Sequence, residues 1–231
     1  RLAFAMSVFV LGGSVGYAMS LFLGGVVTGY VASIGAIDLP FIGEIASWRL
    51  VLVIAGVASL LVVIPLMFIP EPKRHTAVKG PSREDETGSQ LSFRDVMNYM
   101  WMKRNFYGVF IIAVSINYAI AYGGGVWMPT YFIRVEGWEA SSIGVTLGLV
   151  IVAPLLIGCL VSGWLSDHLY KKGLHKAPLY LMTMAGPVLL LFTLMFVYAP
   201  TTELKLAGIA LLYFFSAMYA ALLPTVIQMA T

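Results

Sequence analysis

Charge is what this sequence has least of. Lys, Arg, Asp and Glu together make 11% of its 231 residues, and 60% are hydrophobic; soluble domains carry about 25% charged residues. With a mean hydropathy of +0.90 the chain has too little polar surface to cover a fold in water, which leaves a bilayer as its solvent. Cysteine is nearly absent as well. Cys159 stands alone in an apolar run, so no disulfide within the chain and no cysteine-built metal site is available. Its thiol reads as core packing. The three histidines, His75, His168 and His175, all fall in polar connections, without specific metal-ligand spacing. We expect no metal and no other cofactor. No cleavable signal peptide is visible. The chain starts at Arg1 and stops at Thr231 without a polar tail, as a fragment of a longer polypeptide would.

The uncharged stretches are correspondingly long. Residues 2–37, 50–70, 105–133, 140–166, 177–202 and 206–231 contain no Asp, Glu, Lys or Arg. About 20 apolar residues at 1.5 Å rise cross a ~30 Å hydrocarbon core, so these runs predict six spanning helices, at roughly 4–32, 50–69, 106–131, 142–166, 178–198 and 207–229. Barrel strands would be shorter and would alternate in polarity. The fold class expected is an all-α membrane protein with six transmembrane helices.

The few charges are unevenly placed. Arg1 and the connections 71–104 and 167–177 hold eleven Lys and Arg; the other side holds Arg49, Arg134 and Lys205. This bias follows strict alternation through six spans and puts residues 71–104 and 167–177 in the cytoplasm. Residues 71–90, "EPKRHTAVKGPSREDETGSQ", are polar and rich in turn formers and read as a linker. Residues 92–104, "SFRDVMNYMWMKR", place Phe93, Val96, Met97, Met100 and Trp101 at helical spacing, with Ser92 and Asp95 as a capping pair. They predict a short amphipathic helix on the cytoplasmic membrane surface, with Lys103 and Arg104 near the headgroups. A partner-binding helix is the alternative. The domains expected are therefore 1–70, the linker with its helix at 71–104, and 105–231. Basic residues strung along a membrane edge, rather than gathered on a folded domain, argue against nucleic-acid binding. Nothing implies an oligomer.

Inside the spans, Gly12, Gly16, Ser20 and Gly24 recur every four residues and predict a close helix–helix contact. Pro65, Pro129, Pro154, Pro187 and Pro224 fall within or near the ends of spans and favour bends. Gly123, Gly124 and Gly125 soften the third span into a hinge or a close-contact point. Polar groups at depth are scarce. Ser115, Tyr118 and Tyr122 share one helical face, with Asn117 beside them; Tyr213, Ser216 and Tyr219 share another, with Gln228 further along. Such groups turn toward a water-filled cavity or a neighbouring helix. All eight are candidates for a substrate path; interhelical hydrogen bonding is the other reading. A polytopic membrane enzyme, the alternative from another class, would place His, Asp, Glu or Ser–Lys clusters at this depth. No acid or base sits in the middle of any span, so proton-relay residues are not visible in this segment.

One loop stands out. "GWLSDHLYKKG", residues 163–173, sets Asp167 at the end of the fourth span, where the carboxylate faces the negative end of its own helix dipole. It needs another partner. Lys171 lies at i+4 with Lys172 near it, and a second partner would be the N-terminus of a different helix, whose free N–H groups bind anions. Gly163 would let that helix approach, and Gly173 would let the loop turn tightly. The cluster reads as a latch between two helices, and a plain positive-inside loop is the simpler alternative.

This stretch resembles the Gly-x-Leu-x-Asp…basic-basic loop of the major facilitator superfamily, in the weaker copy that follows the eighth helix. It has His168 where the family often has Arg, and lacks the internal glycine. "GG" at 24–25, "WRLVLVIAGV" at 48–57, "FIPEPKR" at 68–74 and "WMPTYFIRVEGWEASSIG" at 127–144 resemble the family's fifth to eighth helices. The resemblance covers the whole chain and implies helices five to ten of twelve, in a bundle of two halves rocking around a central cavity. "EPKR", "WMPTYFIRVEGW" and "PTVIQ" look most like bacterial spinster-type members; organic anion/cation symporters share the seventh-helix pattern. What this implies is secondary active transport, by symport or antiport, of a small organic solute, amphipathic or anionic. The coupling ion would be H+ or Na+, and the location a bacterial inner membrane. By the family's internal symmetry, Asp167 should meet the start of the first span, at Arg1 and its neighbours.

Overall fold

The six uncharged runs fold as six long helices. The computed structural model describes residues 2–35, 37–39, 43–68, 70 and 93–230; Arg1 and the 71–90 linker lie outside these. Along the chain come α1 (Leu2–Ile34), strands β1 (Ile37–Leu39) and β2 (Gly43–Ile45), α2 (Ser47–Leu66), α3 (Phe93–Met102), α4 (Arg104–Arg134), α5 (Ala140–Lys171), α6 (Ala177–Tyr198) and α7 (Thr202–Ala230). All but α3 among the helices are long and apolar enough to cross a membrane. Charge marks where they stop: α4 begins and ends on an arginine. The expected short helix is α3. The ribbon β1–β2 is a departure from the sequence reading. It is antiparallel, with Ile37 opposite Ile45 and Asp38 opposite Glu44. Three-residue strands carry too little pattern to announce themselves.

The structure divides into two compact units. One comprises Arg1–Leu52 and Tyr131–Thr231, the other Val53–Thr130. In the first, α1 and α5 run antiparallel in constant register. Phe4 meets Asp167, Gly163 abuts Phe4 and Ser7, Gly148 abuts Phe22, Gly144 abuts Gly25, and Ser141 lies against Gly29. From Phe4 to Gly29 the seam runs about 37 Å at 1.5 Å per residue, enough to cross a bilayer core. Small residues make it tight. A Cβ on Gly144 would stand 2.8 Å from the Gly25 Cα, and one on Gly148 would stand 2.7 Å from the Phe22 N. Helix α7 lies parallel to α5, with Gly158 against Phe214 and Ala217. Helix α6 returns antiparallel along α7, where Phe192 stacks on Phe215 with ring centroids 5.5 Å apart. The core holds Ile143, Leu147, Ile151, Cys159, Ile209, Ala217, Ala221 and Leu222.

The stripe Gly12–Gly16–Ser20–Gly24 does not make the close contact expected of it. A Cβ on any of its three glycines would meet nothing within 4 Å. At 100° per residue this stripe lies opposite the face formed by Ser7, Ser14, Ala18, Gly25 and Gly29. Both faces are made of small residues, and spacing alone does not choose between them.

In the second unit, the stretches of α2 from Val53 and of α4 up to Thr130 present apolar side chains on every side, with Leu60 69% and Val126 70% exposed. A helix that is apolar all round belongs in lipid or deep in protein. Helix α4 runs unbroken through Gly123, Gly124 and Gly125. A Cβ on either of the first two would meet nothing within 4 Å, so neither is a close-contact point.

Candidate functional site

The functional candidates in the first unit fall at three levels along the α1–α5–α7 seam. The lowest is the end that carries the basic 167–177 turn. There the Phe4 N–H donates to Asp167 Oδ2 at 3.3 Å. Phe4 lies in the first turn of α1, where backbone N–H groups have no partner within their own helix and the dipole favours an anion. Gly163, one turn before Asp167, permits the approach: a Cβ there would stand 2.8 Å from the Phe4 Cα and would press on the Ser7 hydroxyl. Lys171 and Lys172 form no ion pair with Asp167 among the described residues. Both are exposed at the C-terminus of α5, where a positive charge complements the dipole. The chain then turns through Gly173 at φ +92°. Leu174 N bonds Leu169 O at 3.1 Å and Gly173 N bonds Tyr170 O at 3.0 Å, a Schellman stop that wants glycine at this position. His168 stacks on Trp164 and His175 packs on the edge of Tyr170. Arg1, the remaining latch candidate, lies outside the described residues.

Two hydroxyls at this level have no partner among the described residues. Ser166 Oγ and Thr225 Oγ1 have no hydrogen bond, and the two residues are 1% and 2% exposed. The parallel register that sets Cys159 against Ala217 puts Ser166 level with Thr225. Beyond them, Gln228 Nε2 donates to the Met6 sulfur at 3.8 Å.

Midway along the seam, Tyr17 and Tyr213 share a hydrogen bond of 2.9 Å between their hydroxyls, with rings stacked 5.8 Å apart. One turn away Ser14 Oγ lies 3.5 Å from Cys159 Sγ. Tyr213 is one of the polar residues the sequence places at depth; Tyr17 and Ser14 are not among the candidates read from the sequence, although they fit the same i, i+3 rule that selects Ser115 and Tyr118. Phe214 and Ala217 face α5, and Gly208 and Phe215 face α6. At 100° per residue Ser216 falls on the remaining arc of α7, with Tyr213 at its α1 edge. Tyr219 is half-buried.

The other four candidates belong to the second unit. Tyr118 and Tyr122 stack with centroids 5.9 Å apart and are exposed, as is Ser115; Asn117 is half-buried. The eight residues therefore divide between two units, four in each.

At the opposite end of the first unit sits a charged cluster the sequence did not announce. Lys205 at the start of α7 pairs with Glu136 in the α4–α5 turn. It also donates to the Tyr131 hydroxyl at 2.9 Å, and Tyr131 donates to Glu136 at 3.2 Å. Phe132 and Phe196 pack edge-on against Tyr131, and Phe132 in turn meets Trp138 and Phe196. The hydrogen bond from Lys205 holds the Glu136 carboxyl below its usual range, helped by Tyr131 and opposed in part by burial. A lowered pKa means that the pairing contributes fully above the ordinary glutamate range of about 4.3 and is lost as pH falls through the depressed value. Glu136→Gln is expected to lower the thermal midpoint of the purified protein by a few degrees at pH 7. It should also flatten the acid limb of its pH dependence; an unchanged limb would mean the clasp adds no stability.

A family model described as Major Facilitator Superfamily matches residues 1–231. The hexuronate transporter of Bacillus subtilis (strain 168) is 27% identical over 157 residues, covering 63% of this chain and 35% of that protein. The chain thus spans about a third of the length of that relative. No solved structure matches.

Proposed function

The chain belongs to the major facilitator superfamily, and we propose on that premise that the protein it forms part of is a secondary active transporter of a small organic anion. The superfamily is one of integral membrane transporters and not of enzymes, which sets aside the membrane-enzyme alternative. One observation carries the solute class: the named solute of the Bacillus relative, hexuronate, is an anion. It favours the organic anion/cation symporter branch over the spinster-type one, and an anionic over an amphipathic solute. The chain's own contribution is neutral. Tyr17, Tyr213 and Ser216 offer hydroxyls at mid-depth, suited to the hydroxyl groups of a sugar acid. The countercharge for the carboxylate comes from helices outside this sequence, since no Lys or Arg stands in the middle of its spans. The carboxylates that couple to H+ or Na+ fall outside it too.

Within the alternating-access cycle, the basic end of the seam is the cytoplasmic gate of a bacterial plasma membrane, by the distribution of Lys and Arg. The contact of Asp167 with the α1 N-terminus is its latch. The close approach at Gly163 seats it, and Gly173 holds the turn that follows.

Counterflow in proteoliposomes containing the full-length protein tests the solute class. Labelled glucuronate should exchange, with galacturonate competing and neutral glucose not. Exchange of a lipophilic amine or a lysolipid, with none of glucuronate, would overturn the anion reading.

A further inference from the structure

Helix α3 has an apolar face that no described residue of its own unit covers. None of its residues is buried, and Phe93, Val96, Met97 and Trp101 are all exposed apolar side chains. At 100° per residue these four and Met100 fall within an arc of about 140°. Asp95, Asn98 and the exposed Met102 lie on the far side. The cations are placed differently: Arg94 falls at one margin of the apolar arc and Lys103 at the other. Lys103 keeps helical geometry, its N–H bonding Tyr99 O at 3.1 Å. Its ammonium lies over the Tyr99 ring, 4.7 Å from the centroid. Arg104 leans over Trp101 at 5.8 Å.

Location and charge pattern select one occupant. Regular hydrogen bonding pauses only at Lys103 before α4 begins, and Phe106 N and Tyr107 N both bond back to Lys103 O. The C-terminus of α3 is therefore fixed at the mouth of a membrane-length helix, at headgroup depth. There an apolar arc sinks below the headgroups, and long cationic side chains at its margins reach up to phosphate. A protein groove would need no such symmetric pair of cations.

We propose that α3 is a docking surface for anionic phospholipid, with Phe93, Val96, Met97, Met100 and Trp101 in the acyl boundary and Arg94 and Lys103 on lipid phosphates. This rests on the membrane embedding of the chain and not on the solute it carries. Each cation near an anionic surface strengthens attachment about fivefold, so the pair shifts the docked-to-undocked ratio about 25-fold.

The test uses the full-length protein in nanodiscs of phosphatidylcholine, with and without one-third phosphatidylglycerol. A polarity-sensitive fluorophore is attached to a cysteine replacing Met97 or, separately, Asn98. The Met97 probe should shift to the blue and be quenched by shallow spin-labelled lipid, more strongly with phosphatidylglycerol. The Asn98 probe should stay in water. Arg94→Gln with Lys103→Gln should abolish the phosphatidylglycerol dependence. A Met97 probe in water under both conditions overturns the proposal, as does a lipid dependence that survives the double substitution. Protection of both probes from lipid and water alike points to a protein partner instead and also overturns it. Glucuronate counterflow on the same samples reads the transport proposal separately, so either idea can fail alone.

Discussion

Replacing Gly163 with valine is expected to lower transport by the full-length protein roughly 5- to 150-fold while leaving it folded and inserted. A Cβ at this position would stand 2.8 Å from the Phe4 Cα. That neighbour is backbone, so no rotamer change relieves the clash and the first turn of α1 has to move away from α5. Overpacking of this kind costs about 1–3 kcal/mol, which moves a two-state equilibrium by 5- to 150-fold. In the proposed alternating-access cycle the cost falls on the state in which the basic end is closed, the one that brings Phe4 to Gly163. The variant should therefore rest open at that end. A cysteine in place of Ser166, whose side chain is fully buried here, should react with a membrane-impermeant maleimide far faster in the Gly163→Val background, with Cys159 replaced by alanine. Asp167→Asn makes the comparison. It keeps an acceptor for the Phe4 N–H and loses the charge, so at this contact its effect should be the few-fold change that one charge at a helix terminus supports. Wild-type transport by Gly163→Val, with the reporter still protected, would mean that the cycle does not require this closure.

How far the sequence reveals this arrangement depends on the kind of signal. Six spans are legible because a charged residue in lipid is expensive, and the chain writes that expense as charge-free runs ended by residues such as Arg104 and Arg134. The pairing of Asp167 with the first turn of α1 is legible for a related reason. A carboxylate at the wrong end of its own helix requires a partner, and free N–H groups at a helix start supply one. Neutral contacts leave no such trace. Tyr17 and Ser14 look like any polar residue in a span until α7 and α5 are set beside them. The glycine stripe of α1 shows the same difficulty from the other side: periodicity finds a small-residue face, but only the partner decides which of two such faces is used. Lys205 and Glu136 are each visible as charges outside the spans. Their meeting depends on the end of α4 and the start of α7 lying side by side, which no local pattern encodes.

The seam between α1 and α5 is tight at both ends, and this gives the rocking proposal its sharpest consequence. At the end away from Asp167, a Cβ on Gly144 would stand 2.8 Å from the Gly25 Cα and 3.0 Å from the Leu21 O. Near the middle, Ser14 and Cys159 keep a softer 3.5 Å contact. If one half swings against the other about this middle, the two ends cannot both be released in one state. Gly144→Val should therefore impair transport about as much as Gly163→Val, since the overpacking is of the same kind, but with opposite sidedness. A cysteine in place of Ser141, which lies against Gly29, should become reactive in Gly144→Val while the Ser166→Cys reporter stays protected. In Gly163→Val the pattern should reverse. Reactivity at both ends in each variant would mean that the helix pair separates as a whole, and rocking about the Ser14–Cys159 level would then be the wrong description of how this protein moves.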